Sequence, residues 1–204
     1  ECKSAILMEQ TTGQVLYEMN VDAPMPPASI TKIMTLLLTF EAMDQGKFQY
    51  DTLLSCSEHA ASMGGSQIWL EPGEEMTVDE ILRATFISSA NDAAVVLAEA
   101  VAGSEDAFVG MMNEKAKELG MENTHFANAT GLDAQEHYST ARDIALMSAA
   151  LLRYPDVTRY STVWMDSLRG GTTELVNTNK MVRFYNGATG LKTGTTNGAV
   201  CPAG

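Results

Sequence analysis

The run from Ser29 to about Met43 constrains the fold more than any other stretch of this chain. It contains no Gly or Pro, and Ile30, Ile33, Met34, Leu36, Leu37, Leu38, Phe40, Ala42 and Met43 place apolar side chains nearly all round a helix. Pro24, Pro26 and Pro27 hold the approach extended and stop just short of it, so the helix is expected to begin at or near Ser29. A helix that is apolar on every side belongs in the middle of a domain, with other elements packed around it. Within that run Lys32 is the anomaly.

An i, i+3 spacing puts the Lys32 amine on the same face as the Ser29 hydroxyl, one turn further in. Burial disfavours the ammonium form, so a neutral Lys32 can take the serine proton near neutral pH, as a histidine does elsewhere. The N–H groups and dipole of the helix N-terminus stabilise negative charge developing beside Ser29. The structural alternative is Ser29 as a plain N-cap with Lys32 snorkelling to the surface, and the all-round apolar helix argues against it.

A second string, Ser89-Ala90-Asn91, follows a capping box, Thr77-Val78-Asp79-Glu80, that opens a helix through Ile81–Ile87. Helix formers resume at Ala93 and run to about Ala102, so Ser88 to Asp92 reads as a short connection able to present side chains to a cleft. There Ser89 could pass a proton between Lys32 and a leaving amine, and Asn91 could donate and accept hydrogen bonds with a substrate peptide group. Both residues are also ordinary helix caps.

The third string, Lys192-Thr193-Gly194, lies between the turn signals Asn186-Gly187 and Asn197-Gly198, so Ala188 to Thr195 reads as a strand. Lys192 supplies positive charge and Thr193 a hydroxyl, while Gly194 lets a substrate backbone approach closely. The N–H of Thr195 could pair with that of Ser29 as an oxyanion hole. Each string occurs once, and together they point to acyl transfer through a serine ester without histidine. His59, His125 and His137 are scattered and read as surface or packing residues, and nothing local supports a Ser-His-Asp triad.

The conjunction of these strings resembles the low-molecular-mass penicillin-binding proteins of the serine D-alanyl-D-alanine carboxypeptidase family. The likeness extends through Thr12–Glu18, Pro26–Thr35, Ser88–Ala94, Phe126–Leu132, Ser139–Asp143, Asn177–Asn179 and Gly190–Gly194, nearly the whole chain. It implies a penicillin-binding/β-lactamase-like α/β fold of the α+β type and a DD-carboxypeptidase acting on peptidoglycan stem peptides outside the cytoplasm. By that resemblance Ser29 is the nucleophile, Lys32 and Ser89 are catalytic, and Asn91, Lys192, Thr193, Gly194 and Thr195 bind substrate. β-Lactam antibiotics would acylate the same serine, with no metal or cofactor. Such domains continue past the Lys-Thr-Gly strand with further strands, a helix and often a second domain and a membrane anchor. The chain therefore reads as a single catalytic domain over residues 1–204 that stops short of those parts, and no residue in it is assigned to the carboxylate-binding arginine of related enzymes.

Composition agrees with one domain. The 204 residues, 45% hydrophobic, suffice for one substantial core, and the apolar run from Ile30 to Phe40 is about half the roughly 20 residues of a membrane span. A net charge of −13 with a pI near 4.5 argues against nucleic acid or an anionic membrane as a direct partner. Cys2, Cys56 and Cys201 allow one disulfide or none, and the 13 methionines read as core filler.

Lys3–Met8 and Gln14–Met19 read as a hairpin, residues from about 51 to 160 as a helical lobe with helices at 81–87, 92–102, 106–119 and 140–152, and strand character returns after Ser161. Strands at both ends suggest an antiparallel sheet built from the two termini, with the cleft where it meets the helical lobe. Two rivals remain: a catalytically weak penicillin- or peptidoglycan-binding protein, and a serine β-lactamase. The second needs a water-positioning glutamate, for which Glu174-Leu175-Val176-Asn177 is the nearest stretch, with the wrong internal spacing.

Overall fold

The computed structural model describes residues 2–195 and, as backbone, 200–203. The expected N-terminal hairpin is present: β1 (Ala5–Met8) and β2 (Val15–Met19) run antiparallel with Ala5 opposite Met19. The next element differs from expectation. Residues Ala28–Thr31 form a tight 3-10 turn, and the α-helix α1 (Lys32–Asp44) begins only at Lys32. The physical reason lies outside the segment: Ala28 is held at φ +51°, where an α-helix cannot start, by packing described below.

From Ile33 to Phe40 no residue of α1 is more than 4% exposed, so the helix threads the core as its sequence demands. Burial of Ile33, Met34, Leu36, Leu37, Leu38 and Phe40 contributes on the order of 10 kcal/mol in gross terms, enough to carry one buried amine. Its threonines are satisfied locally: Thr39 Oγ1 donates to the Thr35 carbonyl and Thr35 Oγ1 to the Ala129 carbonyl.

The elements around it follow their caps. β3 (Leu53–Ser55), α2 (Glu58–Ala61) and β4 (Glu75–Thr77) lead to α3 (Val78–Ile87), whose N-cap Thr77 and Glu80 form the full capping box. α4 (Asn91–Ala102) ends on Gly103 in the left-handed conformation, α5 (Glu105–Glu118) starts on Ser104, and α6 (Ala141–Leu151) starts on Thr140. α1 packs against α4, α5 and α6, and Phe86 of α3 meets Phe40 edge-on and stacks at 5.5 Å on Tyr160 of α7 (Val157–Ser161). The three-residue strands β3 and β4 are too short for a readable alternation, so the helical lobe holds an antiparallel pair that the periodicity did not indicate.

β5 (Met165–Leu168) and β6 (Thr173–Val176) form a hairpin, followed by α8 (Met181–Phe184), β7 (Lys192–Thr195) and β8 (Val200–Ala203). β7 is shorter than the expected 188–195, because Gly190 turns at φ +92° hard against the Ser161 carbonyl. The Asn197-Gly198 turn lies outside the described residues. Helices and small antiparallel sheets give the α+β class. Among the described residues each chain end contributes its own hairpin, β1–β2 and β7–β8. The turn at Arg169–Gly171 sends the Arg169 guanidinium to Glu74, at 2.7 and 3.0 Å, and to the carbonyls of Ile68 and Trp69. Cys56 is a buried free thiol whose pKa burial pushes up to about 11.

Candidate active site

Ser29 sits on the 3-10 turn directly after Ala28, whose left-handed backbone costs a non-glycine residue about 1 kcal/mol. Two glycines hold that turn in place. Gly131, at φ +88°, lies so close that a Cβ on it would fall 1.8 Å from the Ala28 carbonyl oxygen and 2.9 Å from the Ser29 nitrogen. On the other side, a Cβ on Gly194 of β7 would meet the Pro27 carbonyl oxygen at 2.9 Å and Ala28 Cβ at 3.1 Å. The Lys-Thr-Gly strand therefore lies flush against the turn that carries the serine.

Lys32, first residue of α1, is fully buried, and its Nζ donates to Ser29 Oγ at 3.2 Å and to the Thr130 carbonyl at 2.7 Å. Burial first, and the positive charge of Lys192 second, hold its pKa well below the ordinary lysine value, with the Asp92 carboxylate pulling the other way. Lys192 is 1% exposed, its Nζ has no hydrogen-bond partner among the described residues, and burial lowers its pKa to about 7. The repulsion between the two amines is reciprocal, so one cleft does not readily carry both charges. Lys32, beside Ser29, has both burial and the Lys192 charge acting against its ammonium form.

Ser89 stands in the short link between α3 and α4 at φ +60°, and its buried Oγ has no partner among the described residues. Asn91 is the first residue of α4. Its N–H donates to the Ser66 carbonyl and its Nδ2 to the Gly64 carbonyl, both at 2.7 Å, while Oδ1 is buried and without a partner among the described residues. The side chain expected to donate and accept thus has one of its donors engaged with Gly64, with its acceptor uncommitted. Asp92 follows, fully buried, accepting from the N–H groups of Ile68, Leu70 and Ala93. It pins the loop beside Asn91 to the start of α4.

Thr193 Oγ1 donates to Thr178 Oγ1 at 2.7 Å, and Thr195, at the other end of β7, is exposed. Among the described residues four buried side-chain polar atoms have no partner: Ser89 Oγ, Asn91 Oδ1, Lys192 Nζ and Trp164 Nε1. Each such atom costs about 1–3 kcal/mol, and three of the four belong to the strings singled out from the sequence.

The third string packs on the turn that carries Ser29, and the charges of Lys192 and of Asp92, next to Asn91, both act on Lys32. The Thr130 carbonyl, Asp92, Gly131 and Thr178 stand outside the three strings, although all four lie inside the segments Phe126–Leu132, Ser88–Ala94 and Asn177–Asn179 that carry the resemblance. Glu174 is an exposed residue of β6 opposite Ser167 in β5.

Comparison with known proteins shows the family and the fold. The sequence model of the D-alanyl-D-alanine carboxypeptidase family matches residues 1–201. The chain is 53% identical over 199 residues to the D-alanyl-D-alanine carboxypeptidase DacF of Bacillus subtilis, covering 96% of this chain and 51% of that protein. It is 42% identical over 159 residues to DacA of Escherichia coli, 75% of this chain and 40% of that protein. The chain thus spans about half the length of the curated relatives it matches. Among solved structures, the peptidoglycan synthesis regulatory factor PBP3 of Streptococcus pneumoniae superposes with a TM-score of 0.89 at 35% identity, over 97% of this chain and 60% of that one. The chain belongs to the D-alanyl-D-alanine carboxypeptidase family.

Proposed function

We propose that this chain carries the acyl-transfer centre of a serine DD-carboxypeptidase that removes the terminal D-alanine from peptidoglycan stem peptides, and that penicillins acylate the same serine. The observation that carries this reading is the Lys32 amine, buried, neutral by its surroundings and 3.2 Å from Ser29 Oγ. Neutral Lys32 takes the Ser29 proton as Oγ attacks the carbonyl between the two D-alanines, and the developing oxyanion is met by backbone N–H groups at Ser29 and Thr195. Ser89 relays the proton from Lys32 to the departing amine, D-alanine leaves and an ester remains on Ser29. Water then hydrolyses the ester, returning the serine proton.

Asn91 Oδ1 accepts from a peptide N–H of the substrate, and charged Lys192 with Thr193 faces its terminal carboxylate. An ammonium that burial has stripped of partners gains most from an incoming anion. The enzyme works outside the cytoplasm, where peptidoglycan lies.

The test is the intact mass of the protein after exposure to a penicillin, followed by peptide mapping. One adduct on Ser29 is expected, and a label elsewhere, or none, overturns the reading. Release of free D-alanine from a D-Ala-D-Ala peptide separates the carboxypeptidase from a protein that only captures penicillin or peptide.

A further inference from the structure

His137 is buried, yet it belongs to none of the three strings. Its Nδ1 accepts from the Ala127 backbone N–H at 2.9 Å, and its Nε2 lies 2.8 Å from Thr31 Oγ1. A backbone N–H can only donate, so Nδ1 is the bare nitrogen and the ring proton sits on Nε2, directed at Thr31. Thr31 immediately precedes Lys32 and lies two residues after Ser29. Ala127 opens the segment whose Thr130 carbonyl receives the Lys32 amine and whose Gly131 presses on the Ala28 carbonyl. One imidazole therefore spans the two walls that fix where the Lys32 nitrogen lies.

The ring itself is held firmly. Phe126 meets it edge-on at 6.0 Å, and the segment carrying it is paired on both sides, Tyr138 with His125 and Ser139 with Met25. A small open pocket lined by Pro26, Ala28, Gly131, Asp133, Ala134 and His137 gives solvent access to its edge. Burial first, and His125 second, disfavour protonation of the ring and outweigh Asp133, which favours it, so its pKa is lowered to about 4. The ring stays neutral, with one donor and one acceptor, across the physiological range.

We propose that His137 is a positioning residue for acyl transfer: by donating from Nε2 to Thr31, on a ring held in place by its neighbours, it sets the register of Ser29 and Lys32 against the Thr130 carbonyl. This rests on the serine acyl-transfer reading above. The role is geometric, so it predicts which replacement works. Gln reaches with an amide N–H to where Nε2 stands and can still donate to Thr31. Asn places its oxygen near Nδ1, keeping the Ala127 bond and losing the one to Thr31.

The test compares wild type, His137→Asn, His137→Gln and the shape-conserving Thr31→Val for thermal midpoint, second-order acylation by a fluorescent penicillin, and the Lys32 titration followed by NMR. His137→Asn and Thr31→Val are expected to acylate about 10- to 100-fold more slowly, the cost of a displaced reacting pair. His137→Gln is expected within about threefold of wild type. In the two slow variants the Lys32 pKa should rise, because a loosened amine regains water, so the acid limb of the rate profile moves to higher pH. Normal acylation by folded His137→Asn, or equal slowing by Gln and Asn, overturns the proposal. A wild type that penicillin does not label overturns the acyl-transfer reading instead, and an unchanged Lys32 titration in His137→Asn then overturns the positioning role by itself.

Discussion

Lys32 and Lys192, drawn from opposite ends of the chain, are both buried in one cleft, and the charge on Lys192 helps keep Lys32 neutral. The chemistry needs that asymmetry: an uncharged base beside the serine and a positive group for the substrate carboxylate. One residue type supplies both because the second amine suppresses protonation of the first.

The pH dependence follows with a definite sign. Acylation needs Lys32 neutral and Lys192 charged, so the second-order rate constant should fall above about pH 7, where free Lys192 loses its proton. In Lys192→Arg that alkaline limb should vanish, since guanidinium stays charged. Stability moves the opposite way. The folded pKa of Lys192 lies below its unfolded value, so between about pH 7 and 10.5 the unfolded chain holds more protons and stability rises with pH, while below 7 the full cost is present. Lys192→Met is therefore expected to stabilise the protein by about 1–4 kcal/mol at pH 6, with the gain shrinking by pH 10. Calorimetry at the two pH values decides it.

Ser89→Ala should raise stability and lower activity together. The hydroxyl is buried without a partner among the described residues, so its removal is expected to gain about 1 kcal/mol, whereas loss of a proton relay is expected to slow acylation by about 100-fold or more. Denaturant melts and penicillin-labelling kinetics on the same sample measure both. A variant that is destabilised and fully active would contradict the role given to Ser89.

Gly131→Ala tests the clamp on the serine turn. A methyl group there would lie 1.8 Å from the Ala28 carbonyl oxygen, and φ +88° is itself unfavourable for alanine. Destabilisation above about 2 kcal/mol is expected, with penicillin labelling of the remaining folded protein slowed. By contrast Gly13→Ala, with open space around its Cβ, meets only the backbone term of about 1 kcal/mol.

Asp92→Asn keeps one accepting oxygen but turns the other into an NH2 that faces a backbone N–H, and it removes a negative charge that favours protonation of Lys32. A loss of about 2–4 kcal/mol is expected. Where the variant folds, the Lys32 pKa should move further down, shifting the acid limb of the acylation profile to lower pH. An upward shift would show that loosening of the loop outweighs the lost charge.

The features legible in the sequence are those a short segment decides for itself. The all-round apolar helix, the Thr77–Glu80 capping box and the first hairpin depend on neighbours in the chain, and each was found nearly in place. Long-range contacts decide the rest. Ala28 gives no local sign of a left-handed backbone, because the force that puts it there comes from Gly131 and Gly194. Thr130 contributes a carbonyl, which every residue possesses and no motif marks. The start of β7 depends on Gly190 meeting the Ser161 backbone, and His137 reads as packing until its two ring nitrogens are traced to their partners.

Arg169 fastens the loop of Ile68 and Trp69 from the far hairpin. A ribosome therefore makes the loop long before it makes the fastener. While the chain is emerging, Ser29, Lys32, Ser89 and Asn91 are therefore all made before the side chain that ties the wall beside Asn91, and the cleft takes its final form only once Arg169 has been added.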